Sequence, residues 1–539
     1  MSASEQIPDY PATGVRTIAA AARWAGETFA DLPAVVDGDI RWTFREYVGR
    51  AESIAASLVA IGVRPGERVG ILAPNCADFA AAVLGIELAG AALVPLNTRF
   101  TVHEIAEICS RASVKAVFTV ETFLGRSYAA ELASLRQAHS DLFSSETALI
   151  TFDGTGSDGV EAFIARGGPE HHRAVDARVA ALDPDDTAMV LFTSGTTGRP
   201  KGIRLGHGQL LRAYWQWGGI LGVEPGDRVL LSNPFFHAFG LLVGLLLALL
   251  RGTAAYPLAV FDSATALRLI ESERLTFYPA PPTVFQTILQ DPELRATDTS
   301  SLRIAVTGAT SIPPALIQAM HDVLGIERVF SPYGLTEATG VATLTRVDDP
   351  VETVALTAGR AVPGVDVAIL RADRSQAEVD EIGEICVRGY NTQVSYLDDA
   401  TPMTDEDGWL HTGDLGLVDP AGNLRVTGRL KDMFIVGGFN VYPAEVEAVL
   451  GSHPDVAATA VIGIPDDRLG EVGAAFIIPR VGATVEESAL SALAAERLAN
   501  YKRPRRYFFV DSFPVNASGK VLKDELTANA ALLPPTSRR

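Results

Sequence analysis

A segment rich in glycine and hydroxyl side chains carries the clearest chemical signal in this sequence. It runs Thr193-Ser194-Gly195-Thr196-Thr197-Gly198-Arg199-Pro200-Lys201-Gly202. Glycines let a backbone turn tightly and point N–H groups at a phosphate chain, while the hydroxyls add donors and Lys201 adds a cation. The Gly-Lys-Ser/Thr spacing of a Walker loop is absent. The segment therefore predicts a phosphate-binding loop of another kind.

Short apolar runs alternate with alanine-rich helical patterns around this segment. Residues 188–192 predict a strand that leads directly into it. Earlier in the chain, 67–72 predicts a strand, 79–88 a helix and 92–96 the next strand. Further strands are predicted at 116–119, 228–231 and 302–307. Such alternation is typical of α/β layers built on parallel sheet.

The pattern changes after residue 366, where short strands at 383–387 and 413–418 predict a small β subdomain. Beyond it, a helix after Pro443, strands at 458–464 and 474–478, and a helix over 486–500 indicate a smaller α+β unit. We therefore predict a large N-terminal α/β domain over 1–430 and a C-terminal domain over 431–539. Gly428-Arg429-Leu430-Lys431-Asp432 is the predicted linker.

Composition excludes several classes of function. The chain has 539 residues, with 45 basic against 65 acidic side chains and a net charge of −20, which disfavours nucleic acids and anionic membranes. The three cysteines lie far apart, so we expect neither disulfides nor a metal knuckle. The apolar run 238–250 is too short to span a bilayer, which takes ~20 residues, and predicts a buried helix. No secretory signal is recognisable, so we expect a soluble protein of the cytoplasm.

Four more segments follow the glycine-rich one in a recognisable order. They are Tyr333-Gly334-Leu335-Thr336-Glu337, Trp409-Leu410-His411-Thr412-Gly413-Asp414, the predicted linker, and Pro514-Val515-Asn516-Ala517-Ser518-Gly519-Lys520. The five segments resemble motifs of the adenylate-forming superfamily, which includes acyl-CoA synthetases, luciferases and peptide-synthetase adenylation domains. The resemblance covers about 43–523. It implies that superfamily's fold and the use of ATP, Mg²⁺ and coenzyme A.

The resemblance also implies which residues bind the nucleotide. Thr336 and Glu337 would contact the α-phosphate and the metal, and Asp414 and Arg429 the ribose. The adenine would lie by Gly308, Ala309, Thr310, Tyr333 and Gly334. These assignments fit the chemistry of the side chains, because a tyrosine ring offers a face for stacking and carboxylate oxygens suit both Mg²⁺ and ribose hydroxyls.

The C-terminal part would supply the remaining groups. Lys520 would neutralise the charge that the substrate carboxylate shares with the α-phosphate. In the family the C-terminal domain rotates between two half-reactions, and Lys431 holds the hinge position. Gly437 and Gly438 resemble the lining of the pantetheine tunnel. The basic run 501–506 either meets phosphates of coenzyme A or forms a solvated face.

The segment 233–240 resembles the acyl-pocket motif of the family, with His237 beside the substrate carboxylate. The predicted pocket residues are Phe235, Phe236, Phe239, Tyr278, Leu335 and Gly340. No acidic residue lies between Ser232 and Gly240 to pair with an α-ammonium, which argues against an amino-acid substrate.

The resemblance favours an AMP-forming acyl-CoA ligase, and 233–240, 279–283 and 333–340 look most like actinobacterial ligases for steroid C/D-ring propanoates. Ala238 and Leu241 replace an asparagine and a tyrosine of those ligases, so the preference for the size of the substrate's ring system stays open. Fatty and aryl-alkanoic acids are alternative substrates. Transfer to a carrier protein, luciferase-like oxidation and a non-catalytic nucleotide-binding role are alternative functions. Because little sequence follows Lys520, we expect no fused carrier. The sequence leaves open whether the chain forms a homo-oligomer.

Overall fold

The computed structural model describes residues 15–138, 146–193, 201–308, 312–399, 401–437, 439–466, 468–515 and 521–532. The chain packs into two compact units. The first draws on Met1–Asp366 and Val387–Leu410, and the second on Val367–Cys386 and His411–Arg539. Within the described ranges, every helix is too short or too polar to cross a membrane.

A seven-stranded sheet forms one layer of the first unit. From edge to edge its strands are Arg328–Phe330, Ile304–Val306, Phe277–Pro279, Arg228–Leu231, Ala254–Pro257, Pro33–Asp37 and Ile40–Thr43. Neighbouring strands are parallel except for the last pair, which is antiparallel. Parallel neighbours need crossover connections, and helices supply them here.

A second seven-stranded sheet carries the glycine-rich segment. Its order is Ser395–Tyr396, Lys201–Gly206, Thr187–Thr193, Ala92–Pro95, Arg68–Leu72, Val114–Thr119 and Ala148–Thr151. Strand Lys201–Gly206 is antiparallel to both of its neighbours, and the other pairs are parallel. The first unit also contains a small antiparallel sheet of Pro332–Tyr333, Thr343–Leu344 and Arg360–Ala361.

Helices cover the sheets of the first unit, and local capping fixes where two of them begin. Thr43 with Glu46 and Thr101 with Glu104 form capping boxes, which satisfy otherwise unpaired N–H groups of the first turn. The α-helices are Ile18–Thr28, Phe44–Ala60, Ala77–Leu88, Val102–Arg111, Tyr128–Ala138, Val160–Ile164, Pro169–Ala181, His207–Leu221, Leu247–Arg251, Ser263–Ser272, Pro282–Gln290, Pro314–Asp322 and Val351–Leu356. A π-helix spans Phe239–Leu246, and 3₁₀ turns span Pro292–Ala296, Thr336–Ala338 and Tyr390–Thr392.

The second unit contains most of a four-stranded sheet and all of a five-stranded one. The four strands are Val365–Leu370, Gly383–Gly389, Leu410–Val418 and Leu424–Arg429. The five are Phe439–Val441, Phe434–Val436, Gly470–Pro479, Val456–Asp466 and Arg506–Phe509. The helices are Pro443–Gly451, Glu487–Arg497 and Lys523–Leu532, with 3₁₀ turns at Leu430–Asp432 and Asn500–Lys502.

Strand alternation gives the five-stranded sheet two cores. Val461 and Ile477 pack into a cluster on one face, while Ile462 and Phe476 pack into a cluster on the other. Because successive side chains of a strand point to opposite faces, both faces of this sheet are covered. The C-terminal helix Lys523–Leu532 contributes Leu526 to the second cluster.

The predicted two-part α/β architecture is confirmed, with small differences in extent. The strand predicted at 302–307 is limited to Ile304–Val306. The helix predicted over 486–500 ends at Arg497, because Leu498 adopts an extended conformation. The apolar run 238–250 is helical and largely buried, but it begins as a π-helix. The boundary predicted between a domain over 1–430 and a domain over 431–539 stays a prediction.

Candidate active site

The two ends of the glycine-rich segment are held side by side. Thr193 ends one strand of the second sheet, and it lies opposite Lys201, which begins the next. The predicted strand that leads into the segment is therefore confirmed. Ser194, Gly195, Thr196, Thr197 and Gly198 lie outside the described residues, and their phosphate-binding role stays a prediction.

The ammonium of Lys201 lies over an aromatic ring that the sequence did not single out. Lys201 Nζ is 4.9 Å from the centre of the Tyr396 ring. Burial and the nearby charges of Glu337 and Asp399 raise the pKa of the Tyr396 phenol. Lys201, a predicted phosphate contact, therefore lies against the Tyr396 ring, and the charge of Glu337, the predicted metal ligand, acts on the same residue.

The segment with Tyr333 and Glu337 folds back tightly on itself. Tyr333 pairs with Thr343 in the small antiparallel sheet and is partly exposed. A Cβ added at Gly334 would lie 2.3 Å from the carbonyl oxygen of Gly340, so only glycine fits there. Leu335 and Gly340 are partly exposed beside Tyr333 in the chain. This turn presents Thr336 and Glu337, both partly exposed, from a short 3₁₀ turn.

Three buried side chains fix that turn. Thr339 has a positive φ of 59°, and its hydroxyl donates to the carbonyl oxygen of Asn391 at 2.7 Å. The Asn391 amide donates to the carbonyl oxygens of Val341 at 2.7 Å and Ala338 at 3.3 Å. Tyr214 donates to the carbonyl oxygen of Thr339 at 3.1 Å. Sequence reasoning missed Thr339 and Asn391, because a bond to a backbone oxygen leaves no signature in residue type.

Asn75 holds the predicted acyl segment. Its amide nitrogen donates to the carbonyl oxygens of Leu231 at 3.0 Å and Asn233 at 2.8 Å. Its amide oxygen accepts the backbone N–H of Phe235 at 2.8 Å. Asn233 in turn donates to the carbonyl oxygen of Pro279 at 2.7 Å. A buried amide with three backbone bonds orders this segment, and such a buried amide is costly to leave unpaired.

His237 follows directly and is held as a neutral ring. The backbone N–H of Phe239 donates to its Nδ1 at 3.2 Å, which leaves the proton on Nε2. The ring reaches solvent, yet the surrounding protein desolvates it and lowers its pKa. His237 can therefore donate one hydrogen bond through Nε2 at neutral pH.

The predicted pocket aromatics divide into two groups. Phe236 and Phe239 keep some exposed surface. Phe235 and Tyr278 are fully buried: Phe235 packs edge-on against Phe79, and the Tyr278 hydroxyl lies 2.9 Å from that of Ser232. Their role as pocket walls stays a prediction.

The two predicted ribose residues meet in the second unit. Asp414 and Arg429 are directly paired across neighbouring antiparallel strands, and Arg429 Nε lies 3.0 Å from Asp414 Oδ1. Asp414 is 7% exposed, whereas the Arg429 side chain is 42% exposed. Arg429 therefore holds the carboxylate in one orientation while its own far end stays accessible.

Glu384 fixes the turn that precedes Asp414. Its two carboxylate oxygens accept the N–H of Gly413 at 3.0 Å and Nδ1 of His411 at 2.8 Å. The Thr412 hydroxyl donates to the carbonyl oxygen of Ile385 at 2.7 Å and accepts the N–H of Asp414 at 3.0 Å. Sequence reasoning did not identify Glu384, although it lies in a predicted strand.

Glu384, Cys386 and His411 also bring three metal-type ligand atoms within 4.8 Å of one another. Cys386 Sγ lies 3.5 Å from His411 Nδ1. Both Glu384 oxygens already accept hydrogen bonds from the turn. In this cluster Glu384 therefore supports the turn before Asp414 through hydrogen bonds.

The other predicted residues are placed as follows. Gly308 is buried, and an added Cβ would lie 3.1 Å from Pro332 Cδ. Gly437 has a φ of 56° and donates its N–H to the carbonyl oxygen of Leu469 at 2.8 Å. Lys431 is exposed in its 3₁₀ turn. Ala309, Thr310, Gly438 and Lys520 lie outside the described residues.

Comparison with known proteins identifies the family of the chain. The AMP-binding enzyme family matches residues 22–397, and the AMP-binding enzyme C-terminal domain matches residues 445–520. The chain therefore belongs to the AMP-binding enzyme family.

Two relatives resemble the chain over nearly its whole length, and both carry the name 3-[(3aS,4S,7aS)-7a-methyl-1,5-dioxo-octahydro-1H-inden-4-yl]propanoyl:CoA ligase. The protein from Rhodococcus jostii is 44% identical over 95% of this chain and 98% of its own. That from Mycobacterium tuberculosis is 45% identical with the same coverage. Among solved structures, ATP-bound MatB from Rhodopseudomonas palustris is similar with a TM-score of 0.80 and 28% identity, over 94% of this chain and 98% of its own.

Proposed function

We propose that this AMP-forming acyl-CoA ligase acts on a bulky hydrophobic carboxylic acid, such as the propanoate carried by steroid C and D rings. The observation that carries the proposal is the 44% and 45% identity, over nearly the whole chain, to two ligases of that kind of acid. We place the reaction in the cytoplasm, where ATP and coenzyme A are available.

The reaction has two balanced half-reactions. A carboxylate oxygen of the acid attacks the α-phosphorus of ATP, the bond to the β-phosphate oxygen breaks, and pyrophosphate leaves with its electron pair. The thiol of coenzyme A then loses its proton and attacks the acyl carbon, and AMP leaves. Such steps are accelerated mainly by positioning and by fixed charges.

The first unit supplies the groups for the phosphates. Lys201 and the hydroxyls of the glycine-rich segment bind the polyphosphate, and Thr336 contacts the α-phosphate. The residues present also fit a magnesium ion, because the partly exposed Glu337 carboxylate is a hard oxygen ligand and directly follows Thr336, the assigned α-phosphate contact, in the same 3₁₀ turn. When bound, magnesium neutralises phosphate charge. Tyr333, which is partly exposed, stacks its ring on the adenine.

The second unit supplies the groups for the ribose and the adenylation step. Asp414 accepts the ribose hydroxyls in the orientation that Arg429 imposes. Glu384 keeps the Asp414 turn rigid, which maintains that orientation without a further change on binding. Lys520 donates to the carboxylate and α-phosphate oxygens while negative charge accumulates there.

Coenzyme A finds suitable groups within the second unit. Phe439 is 58% exposed and stacks on Tyr501, with ring centres 4.8 Å apart. Lys502 lies over the Tyr501 ring and pairs with Glu445 at 2.6 Å, and Arg505 and Arg506 follow it in the chain. An aromatic face beside several cations suits an adenine and phosphates, so we assign this surface and Gly437 to coenzyme A.

The acid end of the substrate meets a neutral, sparsely polar segment. The lowered pKa of His237 keeps its ring uncharged, so Nε2 binds a carboxylate oxygen without forming a buried ion pair. Phe236 and Phe239 offer apolar surface on either side of His237 in the chain. Pockets for sizeable ligands are mostly apolar with few polar anchors, which favours a bulky acid over acetate.

The test compares kcat/KM for acetate, octanoate, 3-phenylpropanoate and a steroid-ring propanoate, measured as thioester formed. AMP release is measured with and without coenzyme A. Since each buried methylene contributes about 0.8 kcal/mol, we expect the ring propanoate to exceed acetate by several orders of magnitude.

The ranking of the acids distinguishes the candidate substrates. Acetate as the best substrate would contradict a bulky acid pocket. Octanoate clearly above both ring acids would remove the steroid assignment and leave the ligase. AMP release without thioester formation would point to a carrier protein or another acceptor.

A further inference from the structure

We propose that Tyr396 is a positioning residue for adenylate formation: its ring holds the Lys201 ammonium beside the phosphate-binding segment without neutralising it. The inference rests on the proposed function, because it assigns Lys201 to the phosphates of ATP. Tyr396 lies far from Lys201 in the sequence, and only the fold brings the two together.

The backbone fixes the ring relative to the lysine. Strand Ser395–Tyr396 pairs antiparallel with Lys201–Gly206, and Tyr396 lies opposite Ile203. The N–H of Leu397 donates to the carbonyl oxygen of Gly202 at 2.8 Å, directly beside Lys201. Hydrogen bonds on this edge therefore set the position of the ring independently of the Lys201 side chain.

Side chains hold the same edge from both sides. Arg204 donates to the carbonyl oxygen of Leu397 at 2.8 Å, and Arg111 pairs with Asp398 through Nε at 2.9 Å. A Cβ added at Gly202 would lie 3.1 Å from Leu397 Cβ, so the two strands approach closely only because position 202 is glycine. The Tyr396 segment is thus packed tightly against the end of the predicted phosphate loop.

The ring, rather than a carboxylate, is the direct partner of the ammonium in the described part of the chain. Asp399 interacts with Lys201 through its charge. Hydrogen bonds from Thr401 are the main cause of the lowered Asp399 pKa, and the charge of Lys201 lowers this pKa further. A carboxylate in direct contact would neutralise the lysine and would have to be displaced by phosphate. A ring face attracts the ammonium while its N–H donors remain available to an anion.

The experiment compares Tyr396→Phe and Tyr396→Leu in acid-dependent ATP–pyrophosphate exchange, which reports the first half-reaction. Thioester formation from a synthetic acyl-adenylate reports the second. A cation over a partly exposed ring contributes modestly, so Tyr396→Leu should lower kcat/KM for MgATP by about two- to five-fold. Tyr396→Phe retains the ring and should retain the activity. Neither variant should change the second half-reaction.

Trp42→Leu is the matched control. Trp42 also lies on an edge strand of a seven-stranded sheet in the same unit, and Arg50 lies 5.2 Å from the centre of its ring. Its loss removes a comparable cation–aromatic contact away from Lys201, so pyrophosphate exchange should not change. Melting temperatures of the two leucine variants show whether both lose similar stability.

The decisive test introduces Tyr396→Leu into the Lys201→Met variant. If Tyr396 acts through Lys201, adding Tyr396→Leu to Lys201→Met should cause no further loss of exchange. A further two- to five-fold loss in that background, or an equal loss in both half-reactions, would overturn the proposal. Unchanged exchange in Tyr396→Leu would overturn it too. Wild-type protein without acid-dependent exchange would instead refute the proposed function.

Discussion

Individual side chains in this protein gain their chemical roles from the neighbours that orient them. Asp414 is buried and held by Arg429, so its carboxylate points in one direction before any ligand arrives. Desolvation lowers the His237 pKa and keeps the ring neutral, and a backbone N–H on Nδ1 leaves its proton on Nε2, so it donates rather than forming an ion pair. Preorganised groups of this kind cost little reorganisation during reaction, which makes them effective in catalysis.

Lys520→Ala should abolish adenylate formation and spare thioester formation from a synthetic acyl-adenylate. Lys520 is assigned only to the step in which charge accumulates, and loss of one such donor commonly lowers a rate by ~10²–10³. Pyrophosphate exchange measures the first step, and thioester yield measures the second.

Lys523→Ala is the matched control for this prediction. Lys523 lies close to Lys520 in the chain and pairs with Glu447 at 2.7 Å, so its loss removes a lysine without touching the adenylation step. Equal losses in both half-reactions for Lys520→Ala would remove the assigned role.

At the scale of elements, one tight backbone approach orders the predicted acyl segment. The π-helix Phe239–Leu246 starts two residues after His237, and its second residue, Gly240, approaches the carbonyl oxygens of Asn233 and Pro234. π-helical turns are rare and occur often at functional sites. The π-helix and residues 233–238 therefore pack together as one structural unit.

Gly240→Ala should displace that structural unit and lower activity toward the acid. An added Cβ would lie 2.3 Å from the carbonyl oxygen of Pro234 and 2.5 Å from that of Asn233, so the backbone beside His237 must move. We expect a rise in KM for the acid of at least ten-fold, because misplacement near 1 Å can cost about 10²-fold. Steady-state kinetics with saturating MgATP measures it.

Gly49→Ala serves as the control, since position 49 lies within a helix and an added Cβ there meets nothing within 4 Å. It should be neutral or stabilise by about 0.5–1 kcal/mol. Unchanged KM in Gly240→Ala would show that this contact does not order the acyl segment.

Lys431→Pro should impair thioester formation more than adenylate formation. Lys431 is exposed in the 3₁₀ turn Leu430–Asp432, and proline fixes φ near about −65°, which restricts a residue that must change conformation in a hinge. The two half-reaction assays measure the effect separately. Lys431→Ala removes the same side chain and leaves the backbone free, so it should stay close to wild type. If both variants form thioester normally, the pivot lies elsewhere.

At the scale of the whole molecule, stability and pH are linked through a buried pair that the reaction does not use. Glu87 is fully buried in helix Ala77–Leu88, and neither carboxylate oxygen has a hydrogen-bond partner among the described residues. His207 Nδ1 lies 3.5 Å from it. Burial raises the Glu87 pKa well above 4.5, so the folded protein keeps this proton to a higher pH than the unfolded chain does, and burial lowers the His207 pKa to about 4, so His207 is neutral near pH 7.

Glu87→Gln should stabilise the protein increasingly as pH rises. Above pH 4.5 the unfolded carboxyl loses its proton while the folded one keeps it, so the wild-type free energy of unfolding falls with pH until the folded pKa is reached. The slope is at most about 1.4 kcal/mol per pH unit. Urea unfolding of both proteins from pH 5 to 8 measures the difference.

Glu27 is exposed, and Glu27→Gln serves as the control. The difference in free energy of unfolding between this variant and wild type should not grow with pH. His207 acts in the opposite direction over the lower part of this window: stability falls as pH drops from 6.5 towards 4 because the unfolded histidine protonates first. A stability difference between Glu87→Gln and wild type that is constant with pH would show that Glu87 does not hold its proton.

The sequence by itself determined the class of fold and the identity of most candidate residues. Strand and helix patterns are local, so alternating apolar runs predicted the layered sheets and the smaller C-terminal unit. The glycine-rich segment, Tyr333 to Glu337 and the Asp414 turn were recognisable because their chemistry depends on particular residue types at fixed spacing. Asp414 and Arg429 were assigned to one ribose, and their pairing across two strands agrees with that.

Only the tertiary structure identified the residues that hold those groups in place. Asn75, Thr339 and Glu384 act mainly through backbone N–H and carbonyl groups, which every residue possesses, so no pattern of residue types marks their partners. Tyr396 meets Lys201 through strand pairing between distant parts of the chain. The complete burial of Phe235 was likewise decided by packing, since an aromatic side chain suits a core and a pocket equally well.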